Sequence, residues 1–137
     1  ADLPQAVIHS DLFPDNVLVR GNGVSALIDF YFACTDALAY DLAVTHAAWS
    51  FDATGASYAA EVGQALIAGY ESVRPLTAAE RAALPVLAQG ACLRFVSSRA
   101  QDWLDTPAEA LVARKDPLAF VRRLDFYAAN GAELFTA

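Results

Sequence analysis

The chain has 137 residues, which suits one domain with a substantial hydrophobic core. Its formal net charge of −7 argues against a nucleic-acid-binding protein, because such proteins present a basic face to the phosphates. Apolar residues make up 56% of the chain, yet no uncharged apolar run reaches the roughly 20 residues that cross a bilayer. We therefore expect a cytoplasmic protein with neither a membrane nor a nucleic-acid partner.

Polar residues at a characteristic spacing mark the first part of the chain. His9 and Asp11 follow an apolar pair, Asn16 comes five residues after Asp11, and Asp29 comes thirteen residues after Asn16. This is the spacing of a phosphoryl-transfer site, in which one Asp serves the acceptor hydroxyl while an Asn and a second Asp hold magnesium. The alternative is a set of ordinary turn caps and loop acids, although charged residues with apolar neighbours are seldom buried without a partner. A metal-dependent hydrolase would need more histidines than the two in this chain.

Two short apolar stretches in the same region flank a turn. Residues 16–19 and 25–28 are apolar or β-branched, and a Gly-Asn-Gly sequence at 21–23 separates them. Gly and Asn tolerate the positive φ of tight turns, so the pattern predicts an antiparallel hairpin. We expect residues 1–6 to be a linker or domain edge and residues 31–36 to be an aromatic loop. Asp29, which follows the second strand, would then lie at the same end of the hairpin as Asn16, where the first strand begins.

Two helices are predicted after the hairpin. Asp36 is the expected N-cap of the first, because a side-chain oxygen at that position satisfies unpaired backbone amides. A break follows, and the second helix is predicted over about residues 57–73. One face of the first helix holds Leu38, Leu42 and Trp49, and the predicted buried stripe of the second consists of Val62, Leu66, Ile67 and Tyr70.

A long third helix has the clearest start. Thr77 and Glu80 form a capping box, in which each side chain satisfies an amide of the first turn. The apolar pattern carries the helix to about Trp103, and Pro85 is expected to kink it or to divide it in two.

Two further helix starts are predicted at 106–109 and at 116–117, each with a proline near the first turn. Asn130 and Gly131 are expected to end or loosen the last helix. Its predicted buried stripe consists of Leu118, Val121, Leu124, Phe126 and Tyr127. The fold class is therefore α+β and mostly helical, with a small β-hairpin that carries the site packed on four to six helices.

Other reactive side chains have structural explanations. Cys34 and Cys92 lack metal-site spacing, and we expect two buried free thiols rather than a disulfide. His46 follows Asp41 on the first predicted helix and is expected to have a structural role. Trp49 and Trp103 are expected to be core aromatics before they are pocket walls.

Longer strings around the polar residues resemble a known family. They include a His-Ser-Asp motif at 9–11, Ile-Asp-Phe at 28–30 and Tyr-Asp-Leu-Ala at 40–43. These resemble the aminoglycoside phosphotransferase and choline kinase superfamily, small-molecule relatives of the protein kinases. Residues 7–18 and 93–99, with the Lys-Asp-Pro at 115–117, are similar to the bacterial homoserine kinases of that superfamily. Two positions differ: Ser10 stands where relatives usually have Gly or Ala, and Ala47-Ala48 precede Trp49 where an Asn is expected.

The resemblance implies a role for each polar residue of the first motif. Asp11 would position or deprotonate the acceptor hydroxyl, with His9 as its catalytic partner. Asn16 and Asp29 would hold Mg²⁺ on the phosphates of ATP. Asp41, in the Tyr-Asp-Leu-Ala string, would support the catalytic loop without taking part in the chemistry.

The resemblance also implies ATP-dependent phosphorylation of homoserine to O-phosphohomoserine, a step of threonine biosynthesis. Arg94 would contact the substrate carboxylate, with Tyr31 and Asp36 as further substrate candidates. The alternative for Arg94 is an internal ion pair with Asp102 or Asp36. Two other functions stay open, namely a kinase for an aminoglycoside or for choline or ethanolamine, and a non-catalytic isolated lobe.

The resemblance covers the carboxy-terminal lobe of the kinase-like fold, so residues 1–137 are expected to be that lobe without the amino-terminal nucleotide-binding lobe. No lysine stands where the α- and β-phosphates would need one, since the only lysine, Lys115, lies far from the motif in sequence. We therefore expect residues 1–137 alone to lack measurable kinase activity and to self-associate through an exposed lobe face.

Overall fold

The computed structural model describes residues 2–107 and 114–135. These residues form four short strands, one 3-10 turn and four α-helices. The helix start predicted at 106–109 falls largely outside the described residues, although Thr106 itself caps the end of the third helix. In chain order the elements are β1 Gln5–Ile8, the 3-10 turn Pro14–Asn16, β2 Val17–Arg20, β3 Gly23–Leu27, β4 Cys34–Ala37, α1 Leu38–Trp49, α2 Ala60–Val73, α3 Ala78–Asp105 and α4 Leu118–Leu134.

The predicted hairpin is confirmed. Strands β2 and β3 pair in antiparallel register from Val17 opposite Leu27 to Arg20 opposite Gly23, with an irregularity after Leu18. Gly21 opens the turn with φ +61°, a backbone conformation that glycine adopts without steric cost.

A second strand pair corrects two predictions. Residues 1–6 are not all linker, and residues 31–36 are not all loop, because β1 and β4 pair in antiparallel register from Gln5 opposite Ala37 to Ile8 opposite Cys34. Both strands are exposed over three of their four residues. They therefore lack the alternation of apolar and polar residues by which a sequence reveals a strand.

The prediction that Asp36 caps α1 is wrong. The chain enters α1 directly from β4, the N-cap is Ala37, and no side chain caps the helix. The Asp36 carboxylate instead accepts a hydrogen bond from the amide of Ala37 at 2.7 Å. The strand pairing of β4 with β1 extends to Ala37, so the helix begins one residue later than predicted and Asp36 lies one residue before the cap position.

The capping box of α3 is confirmed, and the helix runs without division from Ala78 to Asp105. Pro85 lies inside it, so the prediction that it might divide the helix is wrong. A glycine on the neighbouring helix accommodates the ring: a Cβ added at Gly131 would lie 3.2 Å from the Pro85 Cβ. Gly131 therefore permits close packing of α4 on α3, and α4 continues past it to Leu134.

The predicted stripe of α4 is wrong in part. Leu118 is 55% exposed, whereas Phe120, which the prediction omitted, is fully buried. Tyr127 is buried as expected. The start after Asp116-Pro117 is confirmed, and the Asp116 carboxylate accepts a hydrogen bond from the Leu118 amide at 2.9 Å. Because the first four residues of α4, 118–121, are all apolar, the apolar pattern alone did not show which side of this helix turn is buried.

The core lies between α1, α3 and α4. Helix α1 is buried along most of its length, since small residues such as Ala39, Ala43 and Ala47 let its neighbours approach closely. Phe120 and Tyr127 of α4 pack against Leu84 of α3 in the same cluster. The cysteines differ: Cys92 is buried as predicted, and Cys34 is exposed, which corrects the expectation of two buried thiols. Both are free.

A buried polar network closes the end of the core next to α2. His46 is fully buried, its Nδ1 lies 2.6 Å from the Tyr127 hydroxyl, and its Nε2 lies 3.5 Å from the Tyr58 hydroxyl. Burial lowers the pKa of His46 to about 4, so the ring is neutral at pH 7. The structure therefore agrees with a structural role for His46.

Helix α2 packs more loosely than predicted. Val62 is 39% exposed, and Gly63 is the buried residue of the helix. The stripe of half-buried residues is Leu66, Ile67 and Tyr70.

Two glycines of α2 make a matched pair for a stability test. A Cβ at Gly63 would lie 2.3 Å from the Tyr58 hydroxyl and 2.6 Å from the His46 Nε2, whereas a Cβ at Gly69 meets nothing within 4 Å. We predict that Gly63→Ala lowers the free energy of unfolding by about 1–3 kcal/mol through overpacking. Gly69→Ala should raise it by about 0.5–1 kcal/mol, because alanine loses less entropy in a helix. Urea unfolding of both variants measures this, and equal effects at the two positions would contradict the described packing.

Candidate active site

Helix α1 binds the loop that follows β1, residues 9–13, at two points. The Asp41 carboxylate accepts hydrogen bonds from the amides of His9 at 3.2 Å and of Ser10 at 2.7 Å. At the other end of α1, the Trp49 Nε1 donates to the carbonyl of Leu12 at 2.8 Å. Because both anchors belong to one rigid helix, the residue between them, Asp11, has a fixed position.

The loop backbone is strained where Asp41 holds it. Ser10 has φ +66°, in the left-handed region that a side chain normally avoids. Such a conformation persists only where surrounding contacts over-determine it. The Asp41 carboxylate supplies one such contact at the Ser10 amide. Arg94 supplies the other, since its Nη1 donates to the Ser10 carbonyl at 2.5 Å and to the Ser10 hydroxyl at 3.0 Å.

The sequence offered two partners for Arg94, a substrate carboxylate and an internal acid, and the contact with Ser10 is neither of these. Its partner is the loop itself, and it forms no ion pair with Asp102 or Asp36. The guanidinium lies between two rings, 4.7 Å from the Phe95 centroid and 5.2 Å from the Phe32 centroid. The Arg94 side chain therefore holds the same residue of the loop, Ser10, as Asp41 does.

His9 joins the loop to the hairpin. Its Nε2 lies 2.9 Å from the carbonyl of Ile28, and its Nδ1 accepts from the Asp11 amide at 3.3 Å. A carbonyl can only accept, so the ring proton resides on Nε2. The ring is buried and packs against Phe30. His9 does not line the cavity described below, which suits a positioning residue better than a catalytic one.

The hairpin register brings Asn16 and Asp29 side by side. The amide of Ile28 donates to the carbonyl of Asn16 at 3.0 Å, one step beyond the last strand pair. Asp29 follows immediately and turns the chain with φ +61°. The Asn16 amide group donates to the carbonyl of Asp11 at 2.8 Å, which connects it to the loop and leaves its Oδ1 free for another partner.

A cavity of about 450 Å³ lies beside the loop and the end of the hairpin. Asp11, Asn16 and Asp29 lie on one wall, as the sequence predicted. The facing wall is one side of α3, whose residues at 94, 95, 98, 99 and 102 recur at helical spacing. The complete lining is Asp11, Phe13, Asp15, Asn16, Asp29, Phe32, Arg94, Phe95, Ser98, Arg99, Asp102 and Lys115.

The environment of Asp11 raises its pKa. Burial is the main cause, and the neighbouring Asp29 acts in the same direction. The positive charge of Arg94 opposes both. A carboxylate with a raised pKa is a better proton acceptor than an ordinary one, as general-base catalysis requires.

Lys115 is a cavity residue that sequence reasoning set aside. Its Nζ lies 3.8 Å from an Asp15 carboxylate oxygen and 6.0 Å from the Phe13 ring centroid. Lys115 is about a hundred residues from Asp11 in the sequence, and no local pattern shows that the chain returns to the site. The Lys-Asp-Pro string was the only available signal.

Two of the substrate candidates do not line this cavity. Tyr31 is 86% exposed and packs on the ring of Phe32. Asp36 lies on β4 beside a separate depression that also includes Asp2 and Leu87. The structure therefore brings Arg94 to the site and does not bring Tyr31 or Asp36.

The donor atoms at the hairpin end suit magnesium. The Asn16 Oδ1 and the Asp29 carboxylate are hard oxygen ligands of the kind that Mg²⁺ prefers, and two protein ligands completed by phosphate oxygens and water are typical of nucleotide sites. Among residues 2–107 and 114–135, no three or more His, Cys, Asp or Glu residues form a metal-binding group. None of the helices in these ranges is long and apolar enough to span a membrane.

The chain belongs to the phosphotransferase enzyme family, which its residues 1–76 match. This segment contains the loop, the hairpin and α1, and hence Asp11, Asn16, Asp29 and Asp41.

Similar proteins extend the match over almost the whole chain. A homoserine kinase of Gluconacetobacter diazotrophicus is 62% identical over 128 residues, which are 93% of this chain and 40% of that protein. Homoserine kinases of Methylobacterium radiotolerans and Gluconobacter oxydans are 60% and 59% identical over 92% and 90% of this chain, and each is covered over 39% of its own length. The chain thus spans about 40% of the length of these relatives.

The contact of Arg94 with the loop gives a charge test. We predict that Arg94→Met raises the pKa of Asp11 further, because the opposing positive charge is lost. Arg94→Lys keeps the charge and should leave that pKa near the wild-type value. A ¹³C NMR titration of the Asp11 carboxyl group measures both. An unchanged midpoint in Arg94→Met would show that Arg94 does not act on Asp11.

Proposed function

We propose that this chain carries the acceptor side of an ATP-dependent phosphotransferase that acts on the hydroxyl of an amino acid. Homoserine is the proposed substrate and O-phosphohomoserine the product, as the names of the similar proteins suggest. The main observation in support is that Asp11, Asn16 and Asp29 line one wall of a cavity whose facing wall carries both signs of charge.

In this proposal Asp11 orients the acceptor hydroxyl and accepts its proton as the bond to phosphorus forms. Its raised pKa suits the second task, and its anchored loop suits the first. His9 acts through Asp11 by holding the loop amide and the hairpin carbonyl together. Asp41 keeps the strained Ser10 in place and touches no substrate.

Asn16 and Asp29 would hold the magnesium ion of Mg·ATP. When bound, the ion would offset the charge on the phosphates during transfer. The hydrogen bond from Asn16 to the Asp11 carbonyl links the metal side of the site to the acceptor side at 2.8 Å. The chain therefore orients both sides through one loop.

Charge and aromatic contacts favour an amino acid over the alternatives. An aminoglycoside is a polycation, whereas this cavity is lined by Arg94, Arg99 and Lys115 as well as by acids. Choline and ethanolamine kinases would need free aromatic faces for the ligand cation. Here the faces of Phe32 and Phe95 already hold the Arg94 guanidinium.

We propose further that these residues form the carboxy-terminal lobe of a kinase-like fold in a cytoplasmic enzyme. The exposed apolar side chains of the hairpin, Leu18, Val19, Val24 and Leu27, give residues 1–137 alone a surface for self-association. A non-catalytic lobe is the alternative, and the activity tests below separate the two.

The role of Asp11 predicts a loss of turnover. In the whole protein, with whatever sequence flanks residues 1–137, Asp11→Asn should lower kcat for homoserine by about 10²–10⁴-fold with little change in ATP affinity. Asp15→Asn is the matched control, since Asp15 is exposed on the rim of the same cavity. Steady-state kinetics measures both variants. Near-normal turnover by Asp11→Asn would remove Asp11 from the centre of the mechanism.

The role of Asp29 predicts a binding defect. Asp29→Ala should abolish magnesium-dependent nucleotide binding, because the remaining Asn16 oxygen and water cannot replace a carboxylate ligand. Titration calorimetry of the whole protein with Mg·ATP measures the affinity. Asp36→Ala, which removes an exposed acid outside the cavity, is the control and should bind normally. Unchanged affinity in Asp29→Ala would argue against a metal role for this residue.

A further inference from the structure

Most charged groups of the cavity already have a partner or a proposed role. Arg94 is bonded to Ser10, and Lys115 lies beside Asp15. The acids of the opposite wall, Asp11 and Asp29, belong to the acceptor and metal positions proposed above. Two charged residues on α3 are left over, Arg99 and Asp102.

Arg99 is a half-buried cation that forms no ion pair with the described residues, although the charge of Asp116 acts on it from a greater distance. Its Nη1 donates to the carbonyl of Asp116 at 3.1 Å, and its guanidinium lies 4.5 Å from the Phe120 ring centroid. Among the described residues no carboxylate lies within 4 Å of it. A guanidinium carries five N–H donors, and the hydrogen bond to Asp116 uses one of them. Burial lowers the pKa of Arg99, and a bound anion would offset that cost of desolvation.

Asp102 is the complementary group. Its carboxylate makes no hydrogen bond or ion pair with the described residues, and it lies three positions after Arg99 on the cavity side of α3. Residues at this spacing are neighbours on a helix surface. The two side chains nevertheless do not pair with each other within 4 Å. A cation and an anion thus line the same cavity three residues apart on α3, and neither forms an ion pair with a described residue.

We infer that Arg99 and Asp102 form a clamp for a zwitterion, with Arg99 binding the α-carboxylate and Asp102 the α-ammonium group of an amino-acid substrate. The inference rests on the proposed function and specifies how that site selects its substrate. The α-carboxylate and α-ammonium groups sit on one carbon, so neighbouring side chains of opposite charge match them. The side-chain hydroxyl would then extend across the cavity towards Asp11. Arg94 is thereby reassigned from a substrate ligand to a positioning residue of the loop.

Three alcohols test the clamp in the whole protein. L-homoserine carries both charges, 3-aminopropan-1-ol lacks the carboxylate, and 4-hydroxybutanoate lacks the ammonium group. The wild type should prefer L-homoserine to both by kcat/KM. Arg99→Gln should lose about 10–100-fold on L-homoserine, mainly through KM, with little loss on 3-aminopropan-1-ol. Asp102→Asn should lose a similar factor on L-homoserine and little on 4-hydroxybutanoate.

Controls separate the clamp from folding and from the wider proposal. Arg20→Gln and Asp105→Asn remove the same charges outside the cavity and should keep the wild-type preference. Arg99→Lys keeps the charge and should restore part of the preference, which a defect in folding would not permit. If the wild type turns over L-homoserine and both clamp variants keep its preference over the two analogues, the clamp is wrong and the proposed function stands. If the wild type phosphorylates none of the three alcohols, the proposed function fails and the clamp fails with it.

Discussion

The contact between the Asp41 carboxylate and the amides of His9 and Ser10 organises the rest of this structure. It ties the loop to α1, the helix around which the core is built, at 3.2 and 2.7 Å. A carboxylate that accepts two backbone amides forms stronger hydrogen bonds than a neutral group would. This contact allows Ser10 to keep a positive φ, and the turn at Ser10 aims Asp11 into the cavity. Removal of the contact would leave two partly buried donors unsatisfied next to Asp11.

The same logic extends to the other side of the loop. Arg94 holds the Ser10 carbonyl and hydroxyl, so the serine side chain at this position adds an acceptor for the arginine. His9 then transmits the loop position to the hairpin at Ile28, and the hairpin register sets Asp29 beside Asn16. Catalysis of phosphoryl transfer depends mainly on positioning and charge, and in the proposed reaction this chain of contacts would supply the positioning.

The sequence predicted the parts of the site that depend on short-range order. The spacing of Asp11 and Asn16 and the tight turn at 21–23 were sufficient to predict that these two residues and Asp29 lie close together. The capping box at Thr77 was equally local. Contacts between distant segments could not be predicted, because no local pattern encodes them. The pairing of β1 with β4, the return of Lys115 to the cavity and the contact of Arg94 with Ser10 are of this kind.

Identification of the reaction product tests the central claim most directly. The whole protein would be incubated with Mg·ATP and L-homoserine and followed by ³¹P NMR. We expect a phosphomonoester resonance of O-phosphohomoserine that grows with the loss of the γ-phosphate of ATP and is absent without L-homoserine. Consumption of ATP that gives only inorganic phosphate, or no consumption by a folded protein that binds both ligands, would contradict it.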